Sequence, residues 1–189
     1  MSEFAACLNE IREHHKRNIR EGKRVKYTPS EKSSRFFVND NKAANEADHP
    51  AIAEFKKQGV ELGKGEADNN QTGITSETQT LQNAGATQKA QSNFKEQLER
   101  RREAAKEQAV KNVDKIYDTA LEIGTQHPEL QNQVLSVTDI ISGLFNKLFG
   151  KVADFISGIV KAVVEWLKNA WESIKNTFSS IGSWISSWF

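Results

Sequence analysis

The chain has 189 residues, and 37% of them are hydrophobic, a low share for one compact core. Twenty-six Lys and Arg stand against 25 Asp and Glu, a formal charge of +1, so no global field argues for nucleic acid. The single cysteine, Cys7, excludes an internal disulfide and offers no metal motif.

Ser2 suits an N-cap and Glu3 a first helical turn. Phe4, Leu8, Ile11, His15 and Ile19 then follow helical spacing, which predicts a helix from about Ser2 to Ile19 with Gly22 as its stop. Met1–Lys26 has no apolar core, so a secretory signal is not expected. From Arg12 to Lys26 there are seven Lys or Arg and two Glu. Arg12, Lys16, Arg17, Arg20, Lys23 and Arg24 are therefore candidates for contact with phosphates. No aromatic interleaves them for base stacking, and a solvated helix face followed by a basic loop is the plainer reading.

Residues 27–62 read as irregular, with turn and cap signals at Thr28-Pro29-Ser30, Asn39-Asp40-Asn41 and His49-Pro50. Ser34–Val38 is strand-like, but one such patch builds no sheet. Pro50 to about Gln58 suits a short helix that Gly59 ends. Residues 63–86 are rich in Gly, Asn, Gln, Thr and Ala and nearly lack bulky apolar side chains, so a flexible linker is expected. Residues 87–124 return to strong helix formers. Phe94, Leu98, Ala105, Ala109, Ile116 and Ala120 mark a narrow stripe, and Gly124 stands where a helix would end.

Residues 128–189 carry the clearest pattern. Apolar residues recur every 11 positions in four lattices: Ile141, Val152, Val163, Ile174 and Ile185; Phe145, Ile156, Leu167, Phe178 and Phe189; Leu148, Ile159, Ala170 and Ile181; Leu144, Phe155, Trp166 and Trp188. Eleven residues in three helical turns keep all four on one face. The charged residues from Lys147 to Lys175 fall on the opposite face, five Lys balancing five acidic residues between Pro128 and Phe189. A long amphipathic helix, or two in line, is predicted. The longest uncharged run, Asn176–Phe189, is 14 residues, short of the roughly 18 to 20 needed to cross a bilayer.

The expected fold is all-α: a helical hairpin with an extended C-terminal amphipathic helix, plus a disordered or loop-rich N-terminal half. No catalytic constellation is present. His14 and His15 diverge on a helix, His49 and His127 each precede a turn proline, and the glycines form no phosphate loop. A non-enzymatic protein without cofactor, metal or small-molecule substrate is expected.

More than fifteen bulky side chains on one face must find an apolar partner, since leaving them wet would forgo some tens of kcal/mol. The narrower 87–124 helix is shorter, about 55 Å against about 90 Å for a straight 60-residue segment. A bilayer interface suits the aromatics, with Lys residues reaching outward. Phe145, Phe149, Phe155, Trp166, Trp171, Phe178, Trp184, Trp188 and Phe189 are the candidate membrane-binding residues. In period the segment resembles the membrane-binding repeats of apolipoproteins and synucleins. From Val163 to Phe189, its bulky aromatics resemble the 11-residue repeats of phage tail tape-measure proteins, a likeness that covers roughly the last 50 residues. That resemblance implies a helical, oligomeric virion component that meets a host membrane.

The function expected is insertion of the C-terminal helix into a bilayer interface, with self-association to remodel or permeabilise it. The alternative is a soluble helical assembly protein that uses the stripe as an oligomerisation core. The expected location is a membrane periphery, or a secreted or virion-associated state.

Overall fold

The computed structural model describes residues 2–37 and 49–189. Seven α-helices account for nearly all of them, and no strand occurs among the described residues. They are α1 Glu3–Glu21, α2 Glu31–Phe37, α3 Pro50–Asn83, α4 Gln88–Gln126, α5 Gln131–Lys161, α6 Val163–Leu167 and α7 Ala170–Ser186, with a 3-10 turn at Pro128–Leu130. The chain divides into two compact units. One comprises Met1–Glu61 with Ala109–Lys147, the other Leu62–Gln108 with Leu148–Phe189.

The expectation of a disordered or loop-rich N-terminal half is overturned, because α1, α2 and most of the 34-residue α3 lie there. Residues 63–86 are not a flexible linker: α3 runs through them to Asn83. Ala67, Ile74 and Leu81 are buried at seven-residue spacing, enough to tie a helix whose other residues are small or polar. The strand-like patch is helical as far as Phe37. Val38 and the turn signal at Asn39-Asp40-Asn41 lie outside the described residues.

In the first unit α1 starts and stops on local chemistry. Ser2 Oγ accepts the Ala5 N–H at 3.2 Å, and Gly22 takes the left-handed conformation at φ 64°. Phe4, Leu8, Ile11 and Ile19 fill the core. On its other side Arg12 lies 4.2 Å from the Tyr117 ring centre, and Lys16 Nζ reaches Asp114 at 2.7 Å, which aligns α1 antiparallel to α4. His15 Nε2 meets Asp139 Oδ1 of α5 at 2.6 Å. Two glycines expected to end helices stand inside them. A methyl at Gly59 would come within 2.9 Å of Ile141, and one at Gly124 within 2.1 Å of the Phe4 ring. Both positions are contact points where a neighbouring side chain needs the space.

A loop from Gly22 leads to α2, and Glu10 ties the two together. Its carboxylate accepts Ser33 Oγ–H at 2.6 Å and the Ser30 N–H and Oγ–H, both at 2.9 Å. Partial burial opposes its ionisation, but these bonds outweigh it and hold the carboxyl below its usual range. Burial, and then the Glu10 carboxylate, push the Tyr27 phenol well above its usual range.

The second unit is built from two antiparallel helical hairpins. Residues 84–87 join α3 to α4 with Gly85 at φ 72° and Ala86 at φ 51°, and Gln91 Nε2 donates to Ala86 O at 2.8 Å. The Arg101 guanidinium of α4 lies directly over Gly73 of α3. The predicted long C-terminal helix, or two in line, is instead broken at Ala162, where φ is −141° and ψ 47°, and again at Lys168–Asn169. Gly143, Gly150, Gly158 and Gly182 all stand inside helices and do not mark it. The chain folds back: Phe155 meets Phe178 at 5.9 Å between ring centres, and Lys151 sits 5.0 Å over Trp184.

Two outcomes follow. Gly124→Ala should lower unfolding free energy by about 1–3 kcal/mol in urea denaturation, because Phe4 must leave its rotamer or its site. Because the Glu10 carboxyl lies below its usual range in the folded chain, its contribution is complete above that range and is lost as pH falls through the lowered value. Glu10→Gln should therefore be clearly destabilised at pH 7, and its deficit against the parent should shrink towards pH 3 in pH-stepped thermal unfolding.

Candidate functional site

The stripe gains its periodicity from the 11-residue spacing, and the bundle divides it into core and flank. In the first lattice Ile141, Val152, Val163, Ile174 and Ile185 are all buried. The third lattice, Leu148, Ile159, Ala170 and Ile181, is buried throughout as well. The second is buried at Phe145, Ile156 and Phe178 but emerges at Phe189, which is 48% exposed. The fourth, Leu144, Phe155, Trp166 and Trp188, is half-buried at every position.

Of the nine candidate membrane-binding residues, Phe145, Phe149 and Phe178 are thus core residues of their units. Phe155, Trp166, Trp184 and Trp188 occupy the margin of the stripe, and Trp171, 42% exposed, and Phe189 face outward. The ring of Trp166 stacks on Phe94 of α4 at 6.0 Å and 23°, while its Nε1–H donates to Ser173 Oγ at 3.1 Å. Trp184 and Trp188 pack edge to face at 5.3 Å. Trp188 and Ile185 in turn close over Gly63 of α3, where a methyl would come within 2.7 Å of the Trp188 ring.

The cover on this side differs in kind from the stripe. Within the unit α3 buries Gly63, Glu66, Ala67, Asn70, Gly73, Ile74, Thr78 and Leu81. Glu66, Asn70 and Thr78 are at most 3% exposed. Asn70 Nδ2 donates to Glu66 O at 2.8 Å and Thr78 Oγ1 to Ile74 O at 2.7 Å. Both side chains are satisfied on their own helix, so these bonds avoid a desolvation cost without tying α3 to its neighbours. The C-terminal helices present Phe, Ile, Val and Trp to the same interior. The inward-facing polar seam is hidden in local composition, because polar residues there read equally as a solvated face. The heptad spacing of Val60, Ala67, Ile74 and Leu81 was the signal that could have exposed it.

The candidate phosphate-contacting residues do not converge. Arg12 and Lys16 are engaged by Asp114, with Arg12 Nη2 also donating to Asn9 Oδ1 at 2.6 Å, and Lys23 pairs with Glu21 at 2.6 Å. Arg17 and Arg20 are exposed on α1, whereas Arg24 belongs to the following loop. Among the described residues no group of three or more His, Cys, Asp or Glu could hold a metal, and no helix is long and apolar enough to cross a membrane. No family model matches the chain, and neither a curated protein nor a solved structure matches it.

The division of the stripe gives a direct mutational contrast. Phe178→Ala should cost about 3–5 kcal/mol of unfolding free energy through the cavity it leaves. Trp171→Ser, at the exposed margin, should stay within about 0.5 kcal/mol of the parent. Denaturant titrations followed by helical circular dichroism would measure both.

Proposed function

We propose that this is a non-enzymatic, membrane-active protein whose α5–α6–α7 hairpin leaves its bundle and lays its aromatic stripe along a bilayer interface. One observation carries this reading: a stripe of Phe, Ile and Trp shares its bundle with a covering helix that turns Gly, Asn, Thr and Glu inward between Ala67, Ile74 and Leu81. The apolar burial of α3 in this unit rests on Ala67, Ile74 and Leu81, and the Asn70 Nδ2 and Thr78 Oγ1 bonds stay within the helix. A bilayer offers the hairpin more apolar contact than α3 does, while Trp171 and Phe189 already stand outside the core. Stripe area that lipid leaves uncovered would drive self-association. The location that follows is peripheral to a membrane.

A second reading, a soluble helical assembly protein, is favoured by the near-complete burial of the first and third lattices. Flotation on vesicles separates the two. The membrane-active protein should float with neutral as well as anionic vesicles and stay bound in 1 M salt, where screening acts over about 3 Å. Recovery only in the soluble fraction would leave the assembly reading. A companion variant, Asn70→Leu with Thr78→Val, makes the inward face of α3 apolar. It should raise the unfolding midpoint and reduce vesicle binding severalfold. Unchanged binding by this stabilised variant would remove α3 as the restraint on the hairpin.

A further inference from the structure

The first unit holds a cavity of about 370 Å³ between the end of α1, the loop that follows it and the middle of α5. Its size falls in the range of small-ligand sites, which span roughly 300–1,000 Å³. The wall is preformed, because the loop is pinned from two helices. Asn18 Nδ2 of α1 donates to Val25 O at 2.7 Å, and Asn146 Nδ2 of α5 donates to Lys23 O at 2.9 Å. His14, with its proton on Nε2, donates to the same Val25 carbonyl at 2.9 Å.

The lining has two chemistries. Val25, Ile140 and Leu144 are apolar, and Val25 and Ile140 are two of the five large hydrophobic residues exposed among the described ones, at 58% and 46%. Solvent-facing apolar residues gathered at one concavity mark a contact surface more often than scattered ones do. Beside them stand three cations, Arg24, Lys26 and Lys147, against one carboxylate, Asp139. That carboxylate is already engaged at 2.6 Å by His15, which is buried in the lining and whose Nδ1 has no hydrogen-bond partner among the described residues. Lys26 and Lys147 have no ion-pair partner among the described residues either.

An apolar lining flanked by cations suits a molecule with a short hydrocarbon body and an anionic head. We infer that this cavity binds a single-chain anionic amphiphile, its head among Arg24, Lys26 and Lys147 and its chain against Val25, Ile140 and Leu144. The head chemistry is shared by fatty carboxylates and by alkyl phosphate monoesters. The site lies wholly in the first unit and uses α5 only as far as Lys147, and its test reads ligand binding in the absence of any membrane, so either proposal can fail alone.

Calorimetric titration of the full chain would test it, with octanoate, octyl phosphate and uncharged octyl glucoside each below its micelle concentration. One saturable site is expected for at least one anion, with octyl glucoside at least tenfold weaker. Preference for octanoate or for octyl phosphate would identify the head. Lys26→Ser with Lys147→Ser should weaken the preferred anion at least tenfold. Gly143→Trp, which fills the cavity from α5, should abolish the site while the parent's unfolding transition is kept. The proposal is overturned by absence of saturation with both anions, by equal affinity for octyl glucoside, or by unchanged binding in the two lysine substitutions. Inorganic phosphate binding as tightly as the preferred anion would also overturn it, since the chain would then contribute nothing.

Discussion

The whole second unit answers one constraint: the C-terminal segment carries more apolar surface than a single helix can hide. A straight helix of this length would leave its stripe wet along most of roughly 90 Å. The break at Ala162 and the return through α7 convert one long stripe into two facing ones, so that Phe155 covers Phe178. Self-coverage of this kind reduces the area that other helices must supply. What remains is closed by α3 and α4, at Gly63 on one side and by the Phe94–Trp166 stack near the turns on the other.

The two covering helices are not equivalent. In the second unit α4 offers Phe94, Leu98 and Ala105 to the interior, whereas α3 offers Ala67, Ile74 and Leu81 with small and polar groups between them. Small residues allow close approach, and close approach brings many weak dispersion contacts, each worth only about 0.1–0.2 kcal/mol. That packing is sensitive to separation: a gap of an ångström forfeits much of it at once. An interface made this way is specific when closed and contributes little once it begins to part. Ile74 and Leu81 resist parting, and the glycine and polar positions between them are the weaker part of the seam.

Much of the helical content was legible because local signals and periodicity agreed. Ser2 and Gly22 delimit α1 by cap chemistry alone, and the first and third lattices predicted the buried faces of α5 and α7 residue by residue. Glycine was the main source of error. Gly59 and Gly124 read locally as stops, yet each sits inside a helix beneath a large side chain that a distant part of the sequence supplies, Ile141 and Phe4 respectively. No window of local sequence contains that information. The break at Ala162 was illegible for the opposite reason: it follows Lys161 and precedes Val163 and Val164, without glycine or proline, so local propensity would continue the helix.

The aromatic residues show how a periodic pattern can overstate a surface. Nine positions read as one interface divide into buried, marginal and exposed groups, because 3.67 residues per turn keeps a face together without saying which edge of it meets protein. Large aromatics gather at the edge here. Trp166, Trp184 and Trp188 keep one part of each ring on apolar neighbours and leave the rest near water, an arrangement that suits an indole whether the second medium is water or a lipid headgroup layer. A residue at such a margin can exchange its wet side for lipid before any core contact is lost. Trp171 and Phe189 are furthest along that path, so first contact with a bilayer would not require the bundle to open. Opening would then be driven by the stripe behind them, as each released Ile or Phe exchanges the cover of α3 for hydrocarbon at little net cost.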